Sequence, residues 1–427
     1  MRTLALAFLL FSFSCQNRNV EKYSDMATSA KGWRTEVIAT VDQSYAGWDV
    51  EIGDADNDGK NEILVTGCPD SKLVLIKKSN LKWDINILAE DLAQTHPDPG
   101  MGLVVQIIDL NNDGINEIIH GTGQELGGPT WFYVFQTDGK TLTKKISSHP
   151  EWNTSSFTHN FAAYDLDGDG IKEVISTYCG GGEIIRYDLD QDLNHIDARK
   201  LHQLSGSGEE SIIADVDNDG QPEYITSNSF RAEASKVEIY EFNDAGELIL
   251  PARIVLDGFD GRGCFYASMT VGDVDNDGSN ELVVGWKEDQ KINKGTVIGY
   301  KVDSIAHKVY TFAHQDTALD MSYFEKMMVI ADADNDGKNE LVLSTRGDNI
   351  SEFIGSHHLG YVFMFKVNKN GTIGQELLVD LNEKYAGSSW LAVGDADNDG
   401  KNEIVLATGK GDRKNPGTSY VILVEKK

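Results

Sequence analysis

The string DADNDGKNE, at residues 54–62, decides the fold, because it returns along the chain at an almost regular interval. Variants follow as DLNNDGINE (109–117), DLDGDGIKE (165–173), DVDNDGQPE (215–223), DVDNDGSNE (273–281), DADNDGKNE (332–340) and DADNDGKNE (395–403). Successive copies start 55, 56, 50, 58, 59 and 63 residues apart. Seven copies of D-x-(D/N)-x-D-G-x-x-E indicate a repeat architecture, with each repeat one structural unit. We number these segments loops one to seven, and their residues positions one to nine.

Short apolar segments surround each copy of the motif. In the first repeat, one such segment at 48–53 precedes the loop and a β-branched run at 63–65 follows it. Two more, at 72–76 and 83–88, come before loop two. Four strands per repeat is the composition of a propeller blade. The sequence therefore predicts an all-β protein, a seven-bladed β-propeller with four-stranded antiparallel blades.

The two ends of the chain complement each other. After loop seven only two apolar strands remain, at 403–407 and 418–425, so the seventh blade lacks its outer strand. One spare strand, RTEVIAT at 34–40, lies before loop one. We expect this N-terminal strand to complete the last blade, because closure removes an open sheet edge.

The motif supplies the oxygen donors that calcium prefers. Calcium takes six to eight oxygen ligands, and alternate residues of a tight loop can converge on one ion. Positions one, three and five would ligate through side chains, position seven through its carbonyl, and the glutamate at nine would close the shell. Glycine at six permits the sharp turn, and position four is expected to have no ligand role. An EF-hand would instead place its glutamate at position twelve and continue into a helix.

Up to seven calcium ions are thus predicted. Their ligands would be Asp54, Asp56, Asp58, Lys60, Glu62, Asp109, Asn111, Asp113, Ile115, Glu117, Asp165, Asp167, Asp169, Ile171, Glu173, Asp215, Asp217, Asp219, Gln221, Glu223, Asp273, Asp275, Asp277, Ser279, Glu281, Asp332, Asp334, Asp336, Lys338, Glu340, Asp395, Asp397, Asp399, Lys401 and Glu403. Asn111 replaces aspartate at position three, which predicts a weaker site in loop two.

The charge of the chain agrees with metal binding. The 427 residues carry a net charge of −30, and the loops hold 27 carboxylates at positions one, three, five and nine. Seven calcium ions would bring the net charge to −16. An acidic surface argues against nucleic acid as a partner, since such proteins need a basic footprint. We expect a monomer.

The N-terminal segment is typical of an exported protein. Residues 1–14 combine a positive start with a ten-residue apolar run, which fits a signal peptide and is too short to span a bilayer. Cys15 follows and resembles the lipid-bearing cysteine of bacterial lipoproteins, although ordinary signal cleavage would also fit. A polar tether (15–31) and the propeller (32–427) complete the domain prediction. Outer-membrane anchoring through lipid is expected, with a periplasmic or secreted form as the alternative. Cys68, Cys179 and Cys264 are expected to be unpaired or buried thiols.

The loop motif and its flanking strands resemble the FG-GAP/VCBS repeats of integrin α-subunit-like propellers. The segment at 65–69 (VTGCP) is similar to the Gly-Ala-Pro part of that repeat, and the segment at 45–47 (YAG) to the Phe-Gly part. The resemblance covers residues 32–427 and implies the propeller fold. It does not imply one function, because the repeat occurs in adhesion proteins, binding proteins and enzymes.

Strand alternation places all seven loops on one face, and the longer connections on the opposite face. Those connections are rich in histidine, arginine and aromatic residues, which suit glycan recognition. The first functional prediction is a calcium-stabilised propeller that binds a glycan there. A polysaccharide lyase is the alternative, with a base and carboxylate-neutralising groups drawn from His120, His159, Tyr178, Arg262 and Tyr266. A protein-binding adhesion or assembly subunit is the third possibility.

Overall fold

The computed structural model describes residues 30–41, 46–68, 72–90, 92, 101–123, 130–148, 157–158, 160–194, 196–229, 235–258, 266–289, 292–316, 327–345, 360–381, 389–409 and 418–427. Within these ranges the secondary structure is β-strand, turn and bend, without an α-helix. Accordingly, this part of the chain contains no helix with the length and apolarity that a membrane span requires.

The strands form seven four-stranded blades around a ring, which confirms the predicted fold class. Chain order begins with β1 (Trp33–Val41), followed by blade one with β2 (Ala46–Gly53), β3 (Glu62–Cys68), β4 (Leu73–Ser79) and β5 (Lys82–Ala89). Blade two has β6 (Met101–Ile108), β7 (Glu117–Gly123), β8 (Phe132–Thr137) and β9 (Leu142–Ser148). A short strand β10 (Phe157–Thr158) precedes blade three, which has β11 (Ala162–Tyr164), β12 (Glu173–Cys179), β13 (Glu183–Leu189) and β14 (Ile196–Gln203).

Blades four to six repeat the pattern. Blade four has β15 (Ser207–Ala214), β16 (Glu223–Ser229), β17 (Lys236–Tyr240) and β18 (Ile254–Leu256). Blade five has β19 (Tyr266–Gly272), β20 (Glu281–Asp289), β21 (Ile292–Val302) and β22 (Ala306–Asp316), and blade six has β23 (Met328–Ala331), β24 (Glu340–Ser344), β25 (Gly360–Val367) and β26 (Ile373–Leu381). Blade seven uses β27 (Ser389–Gly394), β28 (Glu403–Gly409), β29 (Ser419–Lys426) and β1.

Burial explains why the sequence patterns of the strands differ. The second strand of a blade is covered on both sides by its neighbours, and β7 and β12 are buried along their whole length. Such strands read as continuous apolar runs rather than as alternating ones. The outermost strand β5 faces solvent and mixes exposed with half-buried positions. The core therefore lies between the blades, as seven apolar clusters around the ring.

The N-terminal strand closes the ring, as the sequence predicts. Strand β1 pairs antiparallel with β29 from Trp33 opposite Lys426 to Val41 opposite Ser419. A bulge between Val37 and Ala39 interrupts the alternation, so that Val37, Ile38 and Ala39 are all buried. Ala30, which precedes the expected propeller, also contacts it: its N–H donates to the Leu378 carbonyl at 3.1 Å.

Blades two and three are not fully separate, because a short strand joins them. Strand β10 pairs with β12 of blade three and also, at Phe157, with Gly123 of β7. Blades two and three are consequently joined into one nine-stranded sheet. The sequence signal for this link is weak, because the strand has only two residues.

Candidate functional site

The seven motif loops lie on one face of the propeller, which we call the metal face. Each loop connects the first strand of a blade to the second, and position nine begins the second strand. In blade one, for example, Glu62 of β3 pairs with Gly53 of β2, and residues 54–61 form the turn between them.

Backbone N–H groups hold each loop in shape. The carboxylate at position one accepts a hydrogen bond from the N–H of the glycine at position six in all seven loops, at 2.9–3.1 Å. The glutamate at position nine accepts the N–H of position two through Oε2 in all seven, at 2.8–3.1 Å. These bonds orient two of the predicted ligands before any ion is present.

The turn depends on two left-handed residues. The glycine at position six has positive φ in every loop, for example +85° at Gly59. Position four is also left-handed: it is asparagine in six loops, with φ between 54° and 63°, and Gly168 in loop three, with φ of +79°. Asparagine and glycine tolerate this conformation better than other residues. Position four therefore has a backbone role that the search for metal ligands does not detect.

The carboxylates converge as a metal site requires. In loop six, oxygen atoms of all four acidic side chains lie within 4.8 Å of one another, and in each of loops one, three, four and five those of three acidic side chains do. At position three, Oδ1 of Asp56, Asn111, Asp334 and Asp397 is buried and has no hydrogen-bond partner. A buried oxygen without a partner costs free energy unless a ligand satisfies it. An all-oxygen donor set with such free oxygens fits a hard cation such as calcium.

The glutamates at position nine are the most deeply placed ligands. Each is buried at the start of its strand, and burial raises the pKa of Glu173, Glu223, Glu281 and Glu403 to about 7. Burial also raises the pKa of Glu62, Glu117 and Glu340. An adjacent cation favours the ionised carboxylate and opposes this effect of desolvation.

Basic side chains of the same blades enter several loops. Lys77 lies 2.7 Å from Asp56 and 2.6 Å from Asp58 in loop one. Lys301 and Lys366 approach loops five and six in the same way. Loop three has Arg186, 3.4 Å from Glu173, and loop four has Arg253, 2.6 Å from Asp217. The predicted ligand sets are alike in sequence, but their electrostatic surroundings differ.

Neighbouring loops are tied together by what we call the inter-loop clasp: reciprocal hydrogen bonds between asparagine at position four and the backbone at position eight of the next loop. The clasp joins the pairs Asn398–Asn61, Asn57–Asn116, Asn218–Asn280, Asn276–Asn339 and Asn335–Asn402. Between loops two and three, Asn112 donates to the Gly170 carbonyl at 2.6 Å and accepts from Lys172 Nζ at 3.1 Å. The metal face is thus a nearly continuous ring of loops.

The ring of clasps is interrupted between loops three and four. Position four of loop three is Gly168, which has no side chain, and position eight of loop four is Pro222, which has no N–H. Blades three and four are instead connected on this face by Arg186, whose Nη1 donates to the carbonyls of Ala245 and Gly246, both at 2.8 Å.

The residues predicted for catalysis do not form one described site. His120 and Tyr178 were expected in loops, but they lie inside β7 and β12, at 0 % and 1 % exposure. His120 Nδ1 lies 2.9 Å from the Val104 carbonyl, and Tyr178 hydrogen-bonds to Tyr187. The side chain of Tyr266 and all of His159 and Arg262 lie outside the described residues. The catalytic assignments therefore stay predictions, and burial of His120 and Tyr178 indicates a packing role.

The cysteines are placed only in part. Cys179 is a buried thiol that accepts a hydrogen bond from Ser207 Oγ at 3.2 Å. Cys15, Cys264 and the side chain of Cys68 lie outside the described residues.

Comparison with known proteins agrees with the repeat and the fold. A model of the FG-GAP-like repeat matches three overlapping segments, residues 109–176, 165–226 and 215–284, which contain loops two to five. No curated protein matches the chain.

Several solved structures are similar in fold. The structure titled as the Dos1 propeller is 9 % identical, with 91 % of this chain and 95 % of that chain covered and a TM-score of 0.50. A lectin of Agrocybe aegerita, described as recognising non-reducing terminal N-acetylglucosamine, is 14 % identical over 88 % of this chain and 99 % of that chain, with a TM-score of 0.49. The C-terminal WD40 domain of Sif2 is 12 % identical over 88 % and 82 %, with a TM-score of 0.46. At these identities the likeness concerns the fold alone.

Proposed function

We propose that this propeller with FG-GAP-like repeats is a calcium-stabilised binding protein, and that it binds a glycan on the face opposite the metal face. One observation carries the proposal: the seven motif loops lie together on one face, where hydrogen bonds between loops join six of the seven neighbouring pairs. A face built of metal ligands and mutual clasps serves the scaffold, which leaves the other face for a partner.

The lengths of the connections support this division. On the metal face the turn between β4 and β5 has two residues, Asn80 and Leu81, and the turn between β21 and β22 spans 303–305, although the connection between β17 and β18 is longer, at 241–253. On the opposite face the connection between β24 and β25 runs from 345 to 359. Long connections on a rigid scaffold are where binding residues concentrate. His159 and Arg262 belong to such connections by chain position.

Calcium would have a structural role in this protein. When bound, it would be held by the side chains of positions one, three, five and nine and would neutralise their mutual repulsion. Its contribution is to fix the turn between the first two strands of each blade. This role is structural and involves no substrate.

A binding screen with paired variants tests the proposal. The purified protein is tested in calcium against neutral and acidic polysaccharides, with absorbance of unsaturated uronate products followed in parallel. His159→Ala and Arg262→Ala should weaken binding at least tenfold without changing the melting temperature.

The control variants are Lys60→Ala and Lys338→Ala on the metal face. Both side chains are exposed, and Lys338 lines a groove of about 560 Å³ between loops five and six. Loss of binding in these variants, with His159→Ala and Arg262→Ala silent, would assign the partner to the metal face. Formation of unsaturated products would show a lyase instead of a binding protein.

Export and anchoring complete the proposal. We expect the mature chain to carry lipid on Cys15 and to remain at the outer membrane. The test is cell fractionation: Cys15→Ser should move the protein from the membrane to the soluble fraction. A wild-type protein that is already soluble after export would show ordinary signal cleavage.

A further inference from the structure

Three lysines make the same contacts in three different loops. Lys77 Nζ lies 2.7, 2.6 and 3.0 Å from carboxylate oxygens of Asp56, Asp58 and Glu62. The corresponding distances are 2.7, 2.7 and 3.0 Å for Lys366 in loop six. For Lys301 in loop five they are 3.3, 2.5 and 3.3 Å. In every case the partners are the predicted calcium ligands at positions three, five and nine.

The strand register explains the recurrence. In blade one, Ile63 pairs with Ile76, so the next residue along β4, Lys77, lies beside Glu62 at the end of β3. In blade five, Leu282 pairs with Tyr300 and Lys301 follows; in blade six, Leu341 pairs with Phe365 and Lys366 follows. The same register position on the third strand thus places a lysine in loops one, five and six.

We propose that Lys77, Lys301 and Lys366 are internal competitors of the metal, whose ammonium groups occupy loops one, five and six until calcium displaces them. These loops then bind calcium more weakly than loop seven. The proposal rests on the proposed calcium binding and specifies which loops fill first.

The competition follows from shared ligands. An ammonium group that donates to the carboxylates of positions three, five and nine occupies the same side chains that calcium would need as ligands. Two cations at one site repel each other, so the lysine must leave when calcium enters. It can do so at small cost, because the three lysine side chains are 23–37 % exposed at the edge of the metal face. In the calcium-free loop, the ammonium group compensates the negative charge of the carboxylates.

In blade seven, the residue at this position of the third strand is negatively charged. Ile404 pairs with Val424, so Glu425 stands where blades one, five and six have lysine. Arg34 of β1 pairs with Glu425 at 2.5 Å, and Lys78 approaches Asp397 only to 4.0 Å. Loop seven therefore keeps its carboxylates available. Because blade seven contains both ends of the chain, the first calcium ion to bind would reinforce ring closure.

Titration calorimetry and thermal melting test the proposal on the full propeller. Wild type should show weak calcium binding in three loops, and Lys77→Met, Lys301→Met and Lys366→Met together should tighten three sites at least tenfold. In EDTA the triple variant should melt below wild type, because three buried glutamates lose their counter-charge. In saturating calcium this difference should disappear.

Two reciprocal variants complete the test. Glu425→Lys should weaken one tight site, and Lys369→Met, at an exposed turn of blade six, should change nothing. If the triple variant folds poorly, Lys77→Met alone should tighten one site, and it is the clearer single test because Lys426 also contacts Asp334 in loop six. Unchanged affinities in these lysine variants would overturn the competition. A wild type that binds no calcium at all would instead overturn the proposed function.

Discussion

Asn57 and Asn116 hold loops one and two together through a reciprocal pair of hydrogen bonds. Asn57 Nδ2 donates to the Asn116 carbonyl at 3.1 Å, and Asn116 N–H donates to Asn57 Oδ1 at 2.6 Å. Asn116 Nδ2 adds a bond to the Asp54 carbonyl at 2.8 Å. The asparagine at position four thus links blades instead of ligating metal, and its substitution is not a neutral change on the metal face.

The interrupted clasp between loops three and four gives the first prediction. Gly168 already has the left-handed backbone, and a Cβ placed there meets no atom within 4 Å. Gly168→Asn should therefore donate to the Pro222 carbonyl, and adding Pro222→Asn should complete the reciprocal pair. We expect a gain of about 1 kcal/mol in unfolding free energy, measured by urea denaturation in calcium. Asn57→Ala, which breaks an existing clasp, should lose a similar amount, and equal stability of wild type and the grafted variants would contradict this role.

Calcium removal is the second prediction. A ligand that binds only the folded state stabilises it by mass action, about 2.7 kcal/mol per site at a concentration one hundred times the dissociation constant. The melting temperature should therefore fall strongly in EDTA and return when calcium is restored. Magnesium should restore less, because it requires a smaller octahedral shell. Superimposable melting curves in calcium and EDTA would show that the loops bind no ion of structural importance.

The third prediction concerns ring closure by β1. Trp33 is 2 % exposed and packs with blades six and seven, whereas the side chain of its neighbour Arg34 is 50 % exposed. Trp33→Ala should cost about 3–5 kcal/mol, as expected for a buried aromatic residue. Arg34→Ala should cost about 1 kcal/mol, because it breaks partly exposed ion pairs with Glu36 and Glu425. Both values come from equilibrium unfolding.

Deletion variants test the same closure more severely. Removal of residues 32–41 should expose the edge of β29 and cause aggregation, while removal of 16–29, before the described chain, should not. A soluble monomer with an unchanged melt after deletion of residues 32–41 would show that β1 is dispensable.

The repeat made the blades and the closing strand predictable, because both follow from spacing and from the missing strand of blade seven. The clasp was not predictable, since Asn57 and Asn116 are 59 residues apart and their pairing requires the blade geometry. The sequence predicts His120 in a connection on the face opposite the metal face. In the structure β7 continues to Gly123, where β10 pairs with it.

The pH dependence of stability gives the last prediction, which isolates the buried His120. Burial lowers the pKa of its imidazole from 6.5 to about 4, because desolvation penalises the charged ring more than the hydrogen bond to the Val104 carbonyl favours it. Its Nδ1 lies 2.9 Å from the Val104 carbonyl, while Nε2 is buried without a hydrogen-bond partner. Below pH 6.5 the unfolded chain binds a proton at this residue and the folded chain does not. The contribution of His120 to the free energy of unfolding is therefore complete above pH 6.5, and it is lost as the pH falls towards 4.

His120→Asn keeps a donor for the Val104 carbonyl and removes the titration. Between pH 7 and pH 5, wild type should lose about 2 kcal/mol more unfolding free energy than the variant does. Urea unfolding in EDTA at both pH values measures this difference, and the carboxylates common to both proteins cancel from it. The variant should be less stable at pH 7, because the smaller side chain leaves a cavity, but its stability should depend less on pH. If both proteins lose the same stability on acidification, His120 is protonated in the folded state and its burial is not what keeps it neutral.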